Sequence, residues 1–350
     1  MTTPVGTAMA GGGVYNANSR IQATAARHGL EFLTRAAARV APGSPLVIAD
    51  YGAAEGRNSL LPVAAAITEI RKRSQSPISV VHVDRPENDF GTLFALLRSD
   101  PASYLVGQRD VYPLACGGSF YEPLLPSGSV ALGWCAIAAH WLRAWPTEAP
   151  PTLVPDLAAD SAKVPFAAEA KADWEAFLRS REIEMRPGAS LVVVTPAAEE
   201  DGSIGRRALL YACLDEALDG LLRDGAIVDD ERRRMSLPFY DRTSAEFIAT
   251  FKARSTGLVL EEIVMDTADD VYWVDFQRTG DKAARARGYA GFVRAAFGPT
   301  LATALGPESP QARRSAFVEA LTRRVQAAVA GTEGPLFPAR YASMLITKPL

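Results

Sequence analysis

The sequence contains few of the residues from which metal centres and disulfide frameworks are built. It has three cysteines and three histidines in 350 residues. The cysteines are too few for a disulfide framework, and their spacing matches no metal-binding pattern. The sequence therefore predicts neither a disulfide-stapled domain nor a histidine-rich metal site. His28 and His82 are interpreted as structural residues.

Long apolar runs and a large charge of one sign are also missing. The longest apolar run worth testing as a membrane span, 130–142, is too short to cross a bilayer. The net charge of -3 argues against a dedicated nucleic-acid binder. Residues 1–13 lack the charged start and the apolar stretch of a signal peptide. We therefore expect a cytoplasmic protein that binds neither nucleic acid nor membrane.

Short apolar runs alternate with amphipathic segments through the first half of the chain. Helices are predicted at 20–40, 60–73 and 88–98, and strands at 46–50, 78–84, 191–195 and from 130 towards 138. A turn is predicted at 187–188, before the last of these strands. This alternation predicts a parallel, doubly wound α/β sheet.

The second half of the chain is richer in helical patterns. Helices are predicted at 209–222, 244–253, 289–299 and 315–329, and late strands at 261–265 and 272–277. We expect one unit whose core sheet uses 20–150, 186–200 and 256–280. A helical cap over the ligand edge would use 151–185, 201–255 and 281–335.

The first predicted strand runs into Asp50-x-Gly52-x-x-x-Gly56 and then into a helix. Glycines at such a turn let the backbone approach a ligand closely. The pattern is neither the dinucleotide fingerprint nor a phosphate loop. Asp50 suits an ammonium group better than a phosphate, and Asp84, after the next strand, suits a ribose hydroxyl. S-adenosylmethionine fits these features; the alternatives are a helix cap for Asp50 and a turn role for Asp84.

Five segments, of which the second is the turn just described, resemble motifs of one protein family. They occur in the same order as the motifs of that family. They are Tyr-Asn-Ala-Asn-Ser at 15–19 followed by Gln22, Asp-Tyr-Gly-Ala-Ala-Glu-Gly at 50–56 followed by Asn58, Asp-Arg-Pro-Glu-Asn-Asp-Phe at 84–90, Gly-Ser-Phe-Tyr at 118–121 and His-Trp-Leu at 140–142. Together they resemble the SABATH family of S-adenosylmethionine-dependent methyltransferases. That family methylates carboxylates or ring nitrogens of small molecules. The resemblance covers nearly the whole chain and implies a class I methyltransferase fold, Rossmann-like, with a mainly helical cap.

The resemblance also implies a set of site residues. The implied contacts to S-adenosylmethionine, and to the product S-adenosylhomocysteine, are Tyr15, Gln22, Asp50, Gly52, Asn58, Asp84, Ser119 and Phe120. Gln22 and Trp141 would hold the acceptor carboxylate. The implied substrate pocket is Ile137, His140, Trp141, Leu210, Tyr211, Tyr240 and Val293. Such a lining suits a small apolar acid, either aromatic or of the terpenoid or fatty type.

A carboxylate is already anionic at neutral pH, so its methylation by in-line displacement needs no general base. The cation-binding positions of some family members correspond here to Arg233, Met235 and Ser236, so we predict no metal. The resemblance allows a homodimer. Open alternatives are an N-methyltransferase of a small heterocycle and a non-catalytic nucleotide or small-molecule binding protein. A dehydrogenase using NAD is disfavoured by the glycine pattern.

Overall fold

A computed structural model describes residues 6–43, 46–146, 150 and 152–350, except for the side chain of residue 160. The described part contains one seven-stranded sheet, in the order β3-β2-β1-β4-β5-β7-β6. The strands are β1 Leu46–Tyr51, β2 Ile78–Asp84, β3 Val111–Gly117, β4 Val130–Ala136, β5 Met185–Pro196, β6 Val259–Ala268 and β7 Ala339–Thr347. Neighbouring strands from β3 to β5 are parallel, and β7 runs antiparallel to both β5 and β6.

Helices connect the strands and cover both faces of the sheet. They are α1 Val14–Asn18, α2 Arg20–Ala26, α3 Leu30–Ala38, α4 Leu60–Arg71, α5 Phe90–Ser99, α6 Asp160–Glu184, α7 Ala208–Arg223, α8 Asp229–Arg234, α9 Ser244–Lys252, α10 Val271–Thr279, α11 Lys282–Ala296, α12 Gly298–Thr303 and α13 Gln311–Ala330. The predicted doubly wound architecture is confirmed, with an antiparallel strand added near one edge.

Three large apolar clusters show on which side of the sheet the main helices pack. Helices α3, α4 and α5 bury residues such as Leu33 and Ile67 against one sheet face. On the other face, α6 and α9 contribute Trp174 and Phe247. The third cluster joins α7, α11 and α13 beyond the sheet. The cap was expected to include 151–185 and 201–255, but α6 and α9 pack on the sheet itself.

The predicted helix 20–40 is interrupted in the structure. Helices α2 and α3 are separated by one tighter turn, Arg27–Gly29. A Cβ atom at Gly29 would overlap the side chains of Val194 and Trp134. The break therefore occurs where the backbone passes closest to the sheet, at a position that only glycine fits.

The strand predicted at 272–277 is wrong, because this segment forms helix α10. The Asp270 carboxylate accepts hydrogen bonds from the Tyr272 and Trp273 amides, and Gly280 ends the helix at a φ of 70°. These are standard helix start and stop signals. The aromatic and β-branched residues of 272–277 resemble a strand only when those flanking signals are ignored.

Two strands were missed and one turn was wrong. Edge strand β3 contains Pro113 and has a largely exposed pattern, so it lacks the usual apolar signal. Strand β7 was also absent from the prediction. The turn predicted at 187–188 lies inside β5, where the register against β4 shifts and Gly188 has a φ of +76°. The segment is a bulge rather than a connection.

Candidate active site

Two cavities meet at the carboxyl ends of β1, β2 and β4, where ligands bind in open α/β sheets. The strand-end cavity is half-open and has about 1420 Å³ of empty space beside Asp84, Ser119 and Phe120. It continues into a narrower recess beside Asp50 and Asn58. The cap cavity is narrower and lies between the sheet edge and the cap helices. The residues shared by the cap cavity with the strand-end cavity or its recess are Met9, Tyr15, Gln22, Ile137 and Trp141.

Gly52 forms the turn that leads from β1 into the strand-end cavity. Its φ is +86°, and a Cβ atom there would overlap the Cβ of Ala138. Its amide donates to the Val83 carbonyl at 2.8 Å. The predicted need for glycine is therefore explained by a left-handed backbone and by close packing of the segments after β1 and β4.

Asp50 is buried at the end of β1 and receives two side-chain hydrogen bonds. Ser59 Oγ donates to its Oδ2 at 2.5 Å, and His82 Nδ1 lies 2.8 Å from the same oxygen. His82 Nε2 in turn lies 2.8 Å from the Tyr104 hydroxyl. The alternative of a helix cap for Asp50 is wrong, because its partners are side chains and it lines the recess.

Asp84, at the end of β2, accepts hydrogen bonds from two backbone amides. The amides of Ala54 and Arg85 lie 2.7 Å from its two oxygens. Burial raises the pKa of Asp84 to about 6, although both amides oppose that shift. The carboxylate lines the strand-end cavity and is ionised at neutral pH, so it can accept a ligand hydroxyl.

Ser119 and Phe120 follow β3 and face the strand-end cavity. Their loop is held by a buried ion pair that the sequence analysis missed, Arg181 with Glu184 at 2.9 Å. Arg181 donates to the Phe120 carbonyl at 2.7 Å, and Glu184 accepts from the Tyr51 hydroxyl at 2.6 Å. Both charges are fully buried, so their mutual pairing and hydrogen bonds are required to offset desolvation.

The N-terminal helices close the site from the side opposite the sheet. Glu55 accepts from the amides of Gly13 at 2.6 Å and Asn16 at 2.9 Å, which ties α1 to the turn after β1. This anchoring places Tyr15 on both cavities. Gln22, from α2, is buried, and its Oε1 has no hydrogen-bond partner among the described residues.

The cap cavity has an aromatic wall on its inner side. Trp141 packs edge-on against Phe239 with ring centroids 5.5 Å apart, and Tyr121 donates its hydroxyl proton to the Trp141 carbonyl. His140 is buried next to it, and burial lowers the pKa of His140 to about 4. The imidazole is therefore neutral at pH 7, and its Nδ1 has no partner among the described residues.

Three predicted pocket residues do not line the cap cavity. Leu210 and Val293 are fully buried in the cluster between cap helices. The Tyr240 hydroxyl donates to Glu246 Oε1 at 2.9 Å, which directs that side chain away. Alignment by position identifies the correct helices but not which side of each helix faces the cavity. The other four residues predicted for the substrate pocket, Ile137, His140, Trp141 and Tyr211, line this cavity.

Several cavity residues were missed by the sequence analysis. The charged ones are Arg207 and Asp241, a buried ion pair with a 2.5 Å contact. The aromatic ones are Phe239, Phe292, Phe297, Phe337 and Tyr341. Of these, Phe239 directly precedes Tyr240, which the sequence analysis had assigned to the pocket. Arg207 and Asp241 lie too far apart in sequence for any spacing rule.

Within the described ranges, no group of three or more His, Cys, Asp and Glu side chains is arranged to hold a metal ion. No helix in the same ranges combines the length and apolar character that a membrane crossing requires.

Comparison with known proteins adds relatives along most of the chain. The chain is 28% identical over 245 residues to Methyltransferase LUC1 of Fusarium sp, covering 67% of this chain and 64% of that protein. It is 30% identical over 254 residues to O-methyltransferase acrG of Aspergillus aculeatus, covering 68% and 65%. Indole-3-acetate O-methyltransferase 1 of Oryza sativa subsp. japonica is 27% identical over 273 residues, covering 68% of each protein. The chain thus matches slightly under two thirds of the length of the first two relatives.

A solved structure supports the same fold. Loganic acid methyltransferase with SAH superposes with a TM-score of 0.76 at 19% identity, over 98% of this chain and 99% of that one. The family model described as SAM dependent carboxyl methyltransferase matches residues 7–333, a range that includes most of the residues lining both cavities. The resemblance inferred from the motifs is therefore confirmed, and the chain belongs to the family of SAM dependent carboxyl methyltransferases.

Proposed function

We propose that this protein transfers a methyl group from S-adenosylmethionine to the carboxylate of a small apolar acid. The observation that carries the proposal is the junction of the two cavities. Gln22 and Trp141 are shared there between the space beside the strand ends and the aromatic cap cavity. An acid seated in the cap cavity would present its carboxylate to these two neutral donors.

The residues around the strand ends fit S-adenosylmethionine. Two carboxylates, the buried Asp50 and the half-buried Asp84, suit a cofactor with an ammonium group and a ribose, and they would repel a diphosphate. We propose that Asp50 and Asn58 hold the methionine end, together with Tyr15, Gln22 and the backbone at Gly52. Asp84 would accept from the ribose. Ser119 and Phe120 would hold the adenine, by hydrogen bonding and by ring stacking. When bound, the cofactor supplies an electrophilic methyl group.

The acceptor side needs orientation rather than proton transfer. A carboxylate with an ordinary pKa is ionised at pH 7, so no residue has to remove a proton. The Gln22 amide and the Trp141 indole N–H can each donate a hydrogen bond to one carboxylate oxygen. Neutral donors aim the nucleophile without the strong ion pair that an arginine would form. Positioning of this kind can contribute several kcal/mol to the rate.

The wall of the cap cavity would also remove water from the nucleophile. Its rings at Tyr211, Phe239, Phe292 and Phe297 present carbon to the ligand. Exclusion of water strengthens the hydrogen bonds that remain. Relatives named for indole-3-acetate and gibberellic acid support a small acid with an apolar body as the acceptor.

We further propose that the chain acts as one methyltransferase unit, in the cytoplasm, and assembles as a homodimer as the family allows. The three cysteines are free thiols, which is consistent with a reducing compartment. Light scattering coupled to size-exclusion chromatography measures the assembly directly; a mass of one chain would contradict the dimer.

The experiment that tests the function uses cofactor labelled in its methyl group and a panel of aromatic, fatty and isoprenoid acids. A carboxyl methyltransferase gives methyl esters that base hydrolyses. A base-stable methylated product alone would instead indicate N-methylation of a heterocycle. Thermal shift with S-adenosylhomocysteine and with NAD provides the binding control. Stabilisation by S-adenosylhomocysteine without any turnover would indicate a binding protein.

A further inference from the structure

The cap cavity is not uniformly apolar, because one buried ion pair lies in its wall. Arg207 and Asp241 are each only 2–3% exposed, and both line this cavity. Neither of them lines the strand-end cavity or its recess, in contrast to Gln22 and Trp141. The ion pair therefore lies away from the junction where the acceptor carboxylate would sit.

Each nitrogen of the Arg207 guanidinium donates one hydrogen bond to an acceptor within the protein. Its Nη1 donates to Asp241 Oδ2 at 2.5 Å, its Nη2 to the Ala197 carbonyl at 2.9 Å and its Nε to the Ile204 carbonyl at 3.3 Å. The guanidinium charge is neutralised, and its donors point at existing acceptors. It is therefore poorly suited to bind a second anionic group of a ligand.

Asp241 is only half satisfied. Its Oδ2 is paired with Arg207, whereas Oδ1 has no hydrogen-bond partner among the described residues. Behind it, Asp156 Oδ1 accepts from the Asp241 amide at 3.2 Å, and burial together with the Asp241 charge raises the pKa of Asp156. A buried carboxylate oxygen without a donor is costly, so a ligand that supplies a donor is favoured.

We propose, on the basis of the proposed function, that the acceptor acid carries a neutral N–H or O–H group at the end away from its carboxylate. This group donates a hydrogen bond to Asp241 Oδ1. The acceptor is then an acid with two polar ends joined by an apolar body, such as a heteroaromatic, phenolic or hydroxylated alicyclic acid. A simple fatty acid would leave Oδ1 unpaired inside an otherwise closed wall, and it is a poor substrate.

The test compares acids of equal shape that differ only in the distal donor. Suitable pairs are indole-3-acetate with benzothiophene-3-acetate, and 4-hydroxyphenylacetate with 4-fluorophenylacetate. The donor-bearing member is expected to have a kcat/KM roughly 10- to 100-fold higher, because sites that bind a substrate donor reject the analogue without it. Ratios below about threefold in every methylated pair would overturn the inference.

Variants locate the preference at the ion pair. The double variant Arg207→Met with Asp241→Leu replaces both charges by apolar side chains, a change that folded proteins often tolerate. The double variant should reduce the ratio of the two kcat/KM values within each pair of acids to about one. The matched control is Asp269→Asn at an exposed position, which should keep the wild-type ratio. A double variant that folds and keeps the wild-type ratio would contradict the role of Asp241.

The failure of this inference is distinguishable from failure of the proposed function. Ester formation without a donor preference removes only the inference. An absence of ester from every acid, while S-adenosylhomocysteine still binds, removes the proposed function and the inference with it. If the double variant does not fold, the comparison of paired acids on the wild-type protein decides the matter alone.

Discussion

His82 Nδ1 lies 2.8 Å from Asp50 Oδ2, and both side chains are buried between β1 and β2. Ser59 donates to the same oxygen, so two side chains fix the orientation of one carboxylate. His82 is also fixed on its far side by Tyr104. A chain of hydrogen bonds thus runs from the core to the recess in which the cofactor's methionine end would lie.

Replacing His82 with leucine removes one of the two donors that hold Asp50. We expect the Kd for S-adenosylhomocysteine to rise roughly tenfold, because a hydrogen bond to a charged group is lost. Isothermal titration calorimetry measures this change. The matched control is His28→Leu, which breaks the partly exposed pair with Asp266 and a ring contact with Tyr341. Neither partner lines the recess, so this variant should leave the Kd unchanged. An unchanged Kd in His82→Leu would show that Asp50 is held without it.

The pH dependence of cofactor binding should follow Asp84. Its pKa is raised from 3.8 to about 6 by burial, and only the carboxylate can accept two ribose hydroxyl hydrogen bonds. Protonation below pH 6 therefore weakens binding, by about tenfold at pH 5 relative to pH 7. Titrations of S-adenosylhomocysteine between pH 5 and pH 8 measure this, with Asp84→Asn as a control that should bind weakly at every pH. A flat profile for the wild-type protein would contradict this role.

In the ligand-free protein, protonation of Asp84 has the opposite effect: it stabilises the folded state, although it weakens cofactor binding. The folded state binds the Asp84 proton more tightly than the unfolded state, so between about pH 4 and pH 6 the folded state carries more protons. The contribution of this residue to the free energy of unfolding therefore falls as pH rises through that range. Denaturant unfolding at several pH values measures this for the wild type and Asp84→Asn. The pH dependence of their free energies of unfolding should differ only between about pH 4 and pH 6. An equal pH dependence in both proteins would be inconsistent with the raised pKa.

Trp141→Phe removes the indole N–H and keeps an aromatic ring in the cap cavity. We expect kcat/KM for the acid to fall roughly 10- to 100-fold, because one oriented donor to the carboxylate is lost. The Kd for S-adenosylhomocysteine should stay within about twofold, because the main polar partners proposed for the cofactor are unchanged. Trp273→Phe on α10 is the matched control and should retain full activity. Equal losses of turnover and cofactor binding would contradict the proposed role of Trp141.

Gly52→Ala tests the turn after β1. The substitution adds a Cβ atom at a φ of +86°, where it would overlap Ala138. Gly202→Ala is a control with a similar φ of +77° and nothing within 4 Å of the added atom. The control should cost only the backbone strain, about 1–2 kcal/mol of unfolding free energy. Gly52→Ala should cost more than the control and weaken cofactor binding; equal costs would show that the packing tolerates the extra atom.

Much of the cofactor side of the site could be predicted from sequence because its chemistry is local. Asp50, Gly52 and Asn58 lie within nine residues, where a buried strand runs into a glycine turn and a helix. Asp84 lies at the end of the next strand, and parallel strands end at one edge of a sheet. Strand patterns and the topology rule are therefore sufficient to bring these side chains together.

The acceptor side could not be predicted in the same way. Leu210 and Tyr211 are neighbours on α7, yet only Tyr211 lines the cap cavity. Which side of the helix faces the ligand depends on its rotation against α11 and α13, and position in the chain does not specify it. The segment 272–277 shows a related failure, because its strand-like composition was outweighed by the capping residues at each end.

The sequence by itself determined the family, the doubly wound sheet and the glycine turn that we propose receives the cofactor, since each depends on short-range patterns. Only the tertiary structure decided what forms the acceptor cavity. Arg207 and Asp241 are 34 residues apart and meet at 2.5 Å because the turn before α7 and the loop after α8 both pack against Ala197 at the end of β5. Contacts of this kind arise from the packing of separate elements, so local sequence patterns carry no record of them.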